Sequence, residues 1–262
     1  GGWDAEALKT VDGLVADTEN ADVLVHFLDG KAAVSYPAGA LDSAGVGSDF
    51  RVGSAQELAA VLGDIVSLHR MRHALAQAKG SSGGFSLSLP GSDLEVSVAV
   101  GAVGEDCAAD AEVQAAEEPI AMAHCDQLWL TVRNPSSEAQ DVTVLYVNRD
   151  FSVSAIWPND FSSNRIGPEE EQNIGMLIQN ENGVPGREEV LVLSVPAKPG
   201  AKRVVLTGLA TDSQTRGAEN NGTLLWLDQA MSRDGATRAI GAETPTITTK
   251  RFPIKLKKRK GD

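Results

Sequence analysis

Cysteine is nearly absent from this 262-residue sequence, with Cys107 and Cys125 the two it has. Two cysteines cannot build a disulfide framework, and neither sits in a Cys-x-x-Cys pair, so a zinc ribbon or a thioredoxin-like motif has no basis. One bridge between them would fit an exported domain; a reduced pair in the cytoplasm is the expectation. No apolar run approaches the roughly 18 residues of a membrane span. Glycine is plentiful, at 26 residues, yet forms neither G-x-G-x-x-G after a strand nor a Walker sequence, which leaves nucleotide binding unsupported. No period of about 20–50 residues recurs, against a repeat architecture. The opening Gly1-Gly2-Trp3-Asp4 offers no basic or apolar signal region and no initiator Met, so the expectation is a piece of a longer protein with a domain upstream and no signal peptide.

Bases are scarce too. Lys and Arg number 23 against 36 acids, a net charge of −13. Seven of the 23 lie in residues 250–262, leaving 16 bases against 35 acids in the rest of the chain. So acidic a body repels a phosphate backbone, and nucleic acid is not expected as a partner. The basic tail has two readings, a solubilising terminus and an arm that docks on acidic surface.

What remains is an ordinary globular composition, 42% hydrophobic and 23% charged, long enough for one or two domains. The organising stretch runs from Leu128 to Val195. Leu128, Leu130 and Val132 alternate with Trp129, Thr131 and Arg133, the period of a half-buried strand. Turn residues at 134–137 precede a nearly all-apolar run, 142–148, that fits a strand covered on both faces. Residues 151–157 form another run, halted by Pro158, which has no N–H for a ladder. Further apolar runs at 174–178 and 190–195 complete a set of close-spaced strands without helical periodicity, the pattern of an antiparallel sandwich.

Upstream, residues 5–16 fit a short amphipathic helix, and 23–28 with 32–36 a hairpin turning at Asp29-Gly30. A glycine-rich loop covers 39–47. Ser54 with Glu57 makes a capping box, opening the longest helix, 55–78, whose Leu58, Val61, Leu62, Ile65, Leu68, Met71, Arg72 and Leu75 form a largely apolar stripe. Residues 79–84 are the best linker, dividing 1–80 from 81–262. Beyond it, 85–89 and 94–100 flank a Pro-Gly turn, and 101–124 is expected to be a connecting loop with at most a short strand. Downstream, 202–207 resembles one more strand, 211–222 a loop, 224–232 a short helix capped by Thr223, and 244–256 an extended edge strand marked by Pro245 and Pro253.

The segments LWLTVRN, VTVLYVNRDFSVSAIWPND, NRIGPEEE and GVPGREEVLVLSV, in that order, resemble the accessory β-domain (DUF4384) fused after bacterial caspase-like cysteine peptidases. The resemblance covers about residues 120–210 and implies a noncatalytic module beside a peptidase domain. It also implies that Trp157, Pro158, Asn159 and Asp160 end a strand at a corner where exposed aromatics could bind a partner.

A caspase-like dyad needs a His to take the thiol proton and a Cys to attack the carbonyl. None of His26, His69, His73 and His124 precedes Gly, as that family's pattern requires, and Cys107 follows Glu105-Asp106 in a poor fit. His124 and Cys125 are adjacent and would face opposite ways in a strand. No catalytic residue is therefore assigned. His69 and His73 share a helix face, but Arg70 and Arg72 lie between them and a third ligand is missing, so a surface pair is expected. Asp160, Glu169, Glu170 and Glu171 lack EF-hand spacing and fit a solvated acidic loop. No metal or cofactor is assigned.

The expectation is thus a mainly β chain (α+β overall): an antiparallel Ig-like β-sandwich behind an N-terminal hairpin-plus-long-helix segment. Its expected role is a noncatalytic accessory, regulatory or partner-recognition region of a bacterial caspase-like cysteine peptidase, a processed subunit included, located in the cytoplasm with the upstream peptidase domain or subunit as partner. The alternative is a stand-alone binding or adaptor module that adds a peptide to a sheet edge. If a missing domain packs on residues 1–80, the helix and hairpin should leave an apolar patch in this chain.

Overall fold

The structure, a computed structural model, describes residues 8–9, 11, 23–28, 30–35, 50–80, 94–103, 107, 111–117, 119–159, 162–180, 183, 185–211, 222–232 and 243–257. The glycine-rich loop at 39–47, the strand expected at 85–89, Asp160, and most of the helix at 5–16, of the linker and of the 211–222 loop lie outside these residues.

The hairpin forms as β1 (Leu24–Leu28) and β2 (Lys31–Ser35), antiparallel, turning through Gly30 at φ +74°. That left-handed backbone suits glycine, which has no Cβ to clash. Strand β3 (Phe50–Val52) pairs with β2 and leads into helix α1 (Ala55–Gln77). The capping box holds the helix start: Ser54 Oγ accepts the Glu57 N–H at 3.2 Å, and Glu57 Oε2 accepts the Gly53 N–H at 2.8 Å. The first bond satisfies a donor that the first turn leaves without a helical partner, and the second ties the residue before the cap back to the helix.

The rest is a β-sandwich. One sheet runs β11 (Glu171–Leu177), β7 (Gln127–Arg133), β4 (Glu95–Gly101), β5 (Val113–Ala115), all antiparallel. The other runs β10 (Arg165–Ile166), β8 (Gln140–Val147), β12 (Gly186–Pro196), β13 (Thr248–Leu256), β6 (Ile120–Met122), with β9 (Val153–Trp157) also paired to β8. The pairing of β13 with β6 is parallel. Residues 101–124 thus hold two short strands where at most one was expected, and β13 is flanked on both sides over Ile254–Leu256. Pro253 falls just before that parallel pairing begins, where its missing N–H costs no ladder bond to β6.

Every residue of β8 is buried, because both faces of its sheet are covered. Val142, Val144, Tyr146, Val190 and Val192 meet Leu128, Leu130 and Val132 of the opposite sheet. Leu145, Val147, Leu191, Leu193 and Val195 point the other way, into a second core with the α1 residues Leu58, Leu62, Leu68, Met71 and Leu75. Helix α2 (Gly222–Met231) completes this layer through Leu227, fully buried, with Leu224 and Met231 beside it. Thr223 lies inside its first turn and is not its N-cap.

The run 202–207 is not a strand. Val204 N–H donates to Asp141 Oδ2 at 2.9 Å and Leu206 N–H to Thr143 Oγ1 at 3.1 Å, while Asn164 Nδ2 donates to Val204 O at 2.6 Å. Side chains of and beside β8 satisfy this backbone in place of a ladder, and a 3-10 turn, Thr207–Leu209, follows. A second side-chain knot sits at Asn134, 1% exposed. Its Nδ2 donates to Glu138 O, Ile166 O and Gly167 O, and its Oδ1 accepts from Ser136, so one amide ties together the turns that follow β7 and β10. In β11, Gly175 is required by its neighbour: a Cβ there would lie 2.7 Å from Cζ3 of Trp129.

Leu68 is 3% exposed in the stripe that joins α1 to the sandwich. Leu68→Ala should therefore cost about 2–5 kcal/mol in urea unfolding, in a single transition shared by helix and sheet probes. A loss below ~1 kcal/mol, or separate transitions, would mean that α1 is not part of the sandwich core.

Candidate functional site

The corner expected to bind a partner is only partly at the surface. Trp157 is 4% exposed and packs in the core between the sheets. A register shift between Val144 and Leu145 inserts one residue into β9, pairing Trp157 with Val144 and turning it inward. Its peptide bond to Pro158 is cis. Pro158 is half-buried and Asn159 exposed, so the corner presents no indole to solvent. Among the described residues, the exposed indole is Trp129, 37% accessible, on the outer face of β7.

His69 and His73 lie on the exposed face of α1, with His73 in contact with Gln77 Nε2 at 3.1 Å. The acidic run 169–171 is divided among separate tasks: Glu169 pairs with Arg133 at 2.8 Å, and Glu170 Oε2 accepts the Gly167 N–H at 2.7 Å. Part of the basic tail is strand. Arg251 Nε meets Glu189 Oε1 at 2.5 Å from within β13, so residues 250–256 are not a frayed end. The apolar stripe of α1 is buried within the chain, overturning the expectation that it would be left open, whereas the hairpin leaves Leu24 38% and Phe27 57% exposed.

The cluster that sequence spacing missed is Cys107, His124 and Cys125. Residues 124–125 form a turn between β6 and β7, where Cys125 takes φ +71°. The strand argument for opposite faces therefore does not apply. Cys107, on the segment after β4, reaches this turn and is joined to Cys125 in a disulfide, with Cα atoms 4.8 Å apart. That spacing lies within the usual disulfide range of about 4.4–6.8 Å, and the reduced pair expected from the sequence is corrected accordingly. His124 Nε2 lies 3.8 Å from Cys107 Sγ, and its Nδ1 accepts the Asn180 N–H at 3.0 Å. Among the described residues these three form a group of metal-type ligands, with donor atoms within 4.8 Å of one another. With the bridge reduced, two thiolates and an imidazole would suit a thiophilic cation. The Asn180 bond, however, places the proton of the neutral ring on Nε2, which removes the lone pair a metal near Cys107 would need.

The buried carboxylates form a second concentration of polar chemistry. Glu189, 1% exposed, is held between Arg72 of α1, at 2.6 Å, and Arg251. Glu188, next in the strand, faces the opposite core and accepts the hydroxyl hydrogen of Tyr146. Burial raises the Glu188 carboxyl above its ordinary 4.5, opposed by the Tyr146 and Arg149 contacts. Burial likewise raises the Tyr146 hydroxyl, with Glu188 adding to the effect. Asp64 of α1 is raised above 3.8 by burial first and by Asp150 second. Asp141 is buried with Arg165, at 2.8 and 2.9 Å, and this contact raises the arginine further. These groups join elements and line no common cleft.

The class defined by these observations is a mainly β sandwich whose second sheet is covered by its own helices. No helix among the described residues is long and apolar enough to cross a membrane. No family model matches the chain, and no curated protein matches it. Among solved structures it is similar to the ASH/PapD-like domain of human CEP192 (PapD-like domain 7), at 8% identity, covering 69% of this chain and 99% of that one. The TM-score of 0.28 is too low for that likeness to carry an argument.

A carboxyl raised in the folded state binds its proton more tightly there than in the unfolded chain. Stability should therefore fall as pH rises from the ordinary glutamate value of 4.5 toward the raised value of Glu188, then level off. Glu188→Gln should flatten this decline in urea midpoints measured across the acidic range. A slope identical to that of the parent would contradict the assignment.

Proposed function

We propose that this chain is the noncatalytic accessory region of a bacterial caspase-like cysteine peptidase, acting by contact with the peptidase domain or subunit. The ordered segments between residues 120 and 210 support this reading. The observation that carries it furthest is the exposed apolar surface of β1, Phe27 at 57% and Leu24 at 38%. β1 is also the outer strand of its three-stranded sheet, with one pairing edge unused among the described residues. An open edge beside apolar side chains can accept a strand from a neighbouring domain. The cytoplasmic location belongs to the same reading. A bridge between Cys107 and Cys125 is then one that opens and closes, because cytosolic disulfides are mostly transient ones in a pool that keeps thiols reduced.

A second reading is favoured by a different observation. The apolar stripe of α1 is satisfied within this chain, so the molecule needs no other domain to cover its helix. A stand-alone binding or adaptor module fits that self-sufficiency.

Phe27→Asp places a charge on the proposed contact. In protein expressed in its own host, this variant should lose at least about tenfold of a co-purifying polypeptide labelled by a thiol-directed peptidase probe, while its thermal stability stays within a few degrees of the parent. Undiminished co-purification would move the contact away from β1; absence of any labelled polypeptide with the parent chain would favour the stand-alone module.

A further inference from the structure

We propose that Cys107 and Cys125 form a thiol–disulfide exchange site for low-molecular-weight thiols and disulfides, with Cys107 as the reacting sulfur and His124 as the residue that stabilises its thiolate. The two sulfurs are unequal. Cys107 is half-buried, whereas Cys125 is 0% exposed. A small thiol or disulfide therefore meets Cys107 first, and Cys125 is placed to close the bridge from inside.

His124 is held for this role by backbone. The Asn180 N–H occupies Nδ1 at 3.0 Å, so the neutral ring carries its proton on Nε2, 3.8 Å from Cys107 Sγ. A hydrogen bond from that N–H favours the thiolate of the opened form, and the thiolate is the nucleophile. The turn that carries His124 and Cys125 does not depend on the bridge. Cys125 N–H donates to Ile178 O and Ile178 N–H to Asp126 O, both at 2.9 Å. Asp126 Oδ2 accepts the Ala123 N–H at 2.7 Å. Four positions of backbone are thereby fixed around Cys125, holding its side of the bridge in place.

In the closing direction, the Cys107 thiolate attacks a sulfur of a small disulfide RSSR. A Cys107–SR bond forms, the RS–SR bond breaks, and RS⁻ leaves to take a proton as RSH. The Cys125 sulfur then attacks Cys107 Sγ and expels the second RS⁻, which takes the Cys125 proton and leaves as RSH. The two protein thiols are oxidised to one disulfide and RSSR is reduced to two RSH. Opening is the reverse, with two equivalents of RSH as reductant.

The test is alkylation of the reduced protein by iodoacetamide at neutral pH, followed by peptide mass mapping. Cys107 should be modified at least about tenfold faster than Cys125. His124→Asn retains an oxygen where Nδ1 sits, to accept the Asn180 N–H, but presents nothing to Cys107; it should slow Cys107 about tenfold. His124→Gln, which can return an N–H to the Nε2 position, should restore most of the rate. With glutathione disulfide, Cys125→Ser should trap one glutathione on Cys107, while the parent closes its bridge and releases two thiols. Equal modification of both cysteines, or an unchanged rate in His124→Asn, would overturn the proposal. So would a bridge that dithiothreitol opens only in denaturant, which makes it an inert staple. Retention of one equivalent of added zinc by the reduced protein through gel filtration, with both thiols blocked, would instead make the cluster a metal site and also overturn it.

Discussion

Strands β8 and β12 are covered on both faces, and most of the molecule follows from that constraint. Adjacent residues of a strand point to opposite sides, so each residue of this pair must be assigned to one of two cores. Val190 and Val192 go to the space between the sheets, and Leu191 and Leu193 to the space beneath α1. The same rule separates Glu188 from Glu189. They are neighbours in sequence, yet one answers to Tyr146 in the first core and the other to Arg72 and Arg251 at the edge of the second. Burying a carboxylate is costly unless it is paired, and each has its own partner on its own side. Arg72 and Arg251 come from residues far apart in the chain, so the Glu189 contact fixes helix and last strand to the same point of the sheet.

The parts of this arrangement written in short-range pattern were legible. The alternation of β7, the unbroken apolar run of β8, the stop at Pro158 and the Ser54–Glu57 cap each correspond to what the chain forms. The apolar run of β8 already implied cover on two sides, but periodicity cannot say what supplies the second cover. Tertiary detail was less accessible. Residues 202–207 have the composition of a strand, but the Asp141 and Thr143 side chains take their N–H groups. A single extra residue in β9 reverses the side on which Trp157 falls. The cysteine cluster depends on a turn at 124–125 and on a distant segment reaching it, and neither leaves a spacing signal.

These features narrow what kind of function the chain can carry. Its buried carboxylates Asp141, Glu188 and Glu189 are spent on joining elements of the fold. The helix expected to face a neighbouring domain covers β8 and β12 instead. The contact proposed here is the hairpin, an outer strand with an exposed phenylalanine, on the side of the chain that precedes the helix. The thiol chemistry proposed lies at a different place, the turn between β6 and β7, where one histidine and two sulfurs meet. A module that docks through its hairpin and carries a thiol pair at a separate turn is a coherent reading of both.

The most direct measurement is native mass spectrometry of the untagged protein purified from its own host with its natural flanking sequence. The result expected is an assembly, or a longer polypeptide, in which this region accompanies a domain with a cysteine reactive toward peptidase probes. A lone species of 27.5 kDa that no such probe labels, and that binds no second chain, would contradict the accessory role and leave the self-contained sandwich as a binding module.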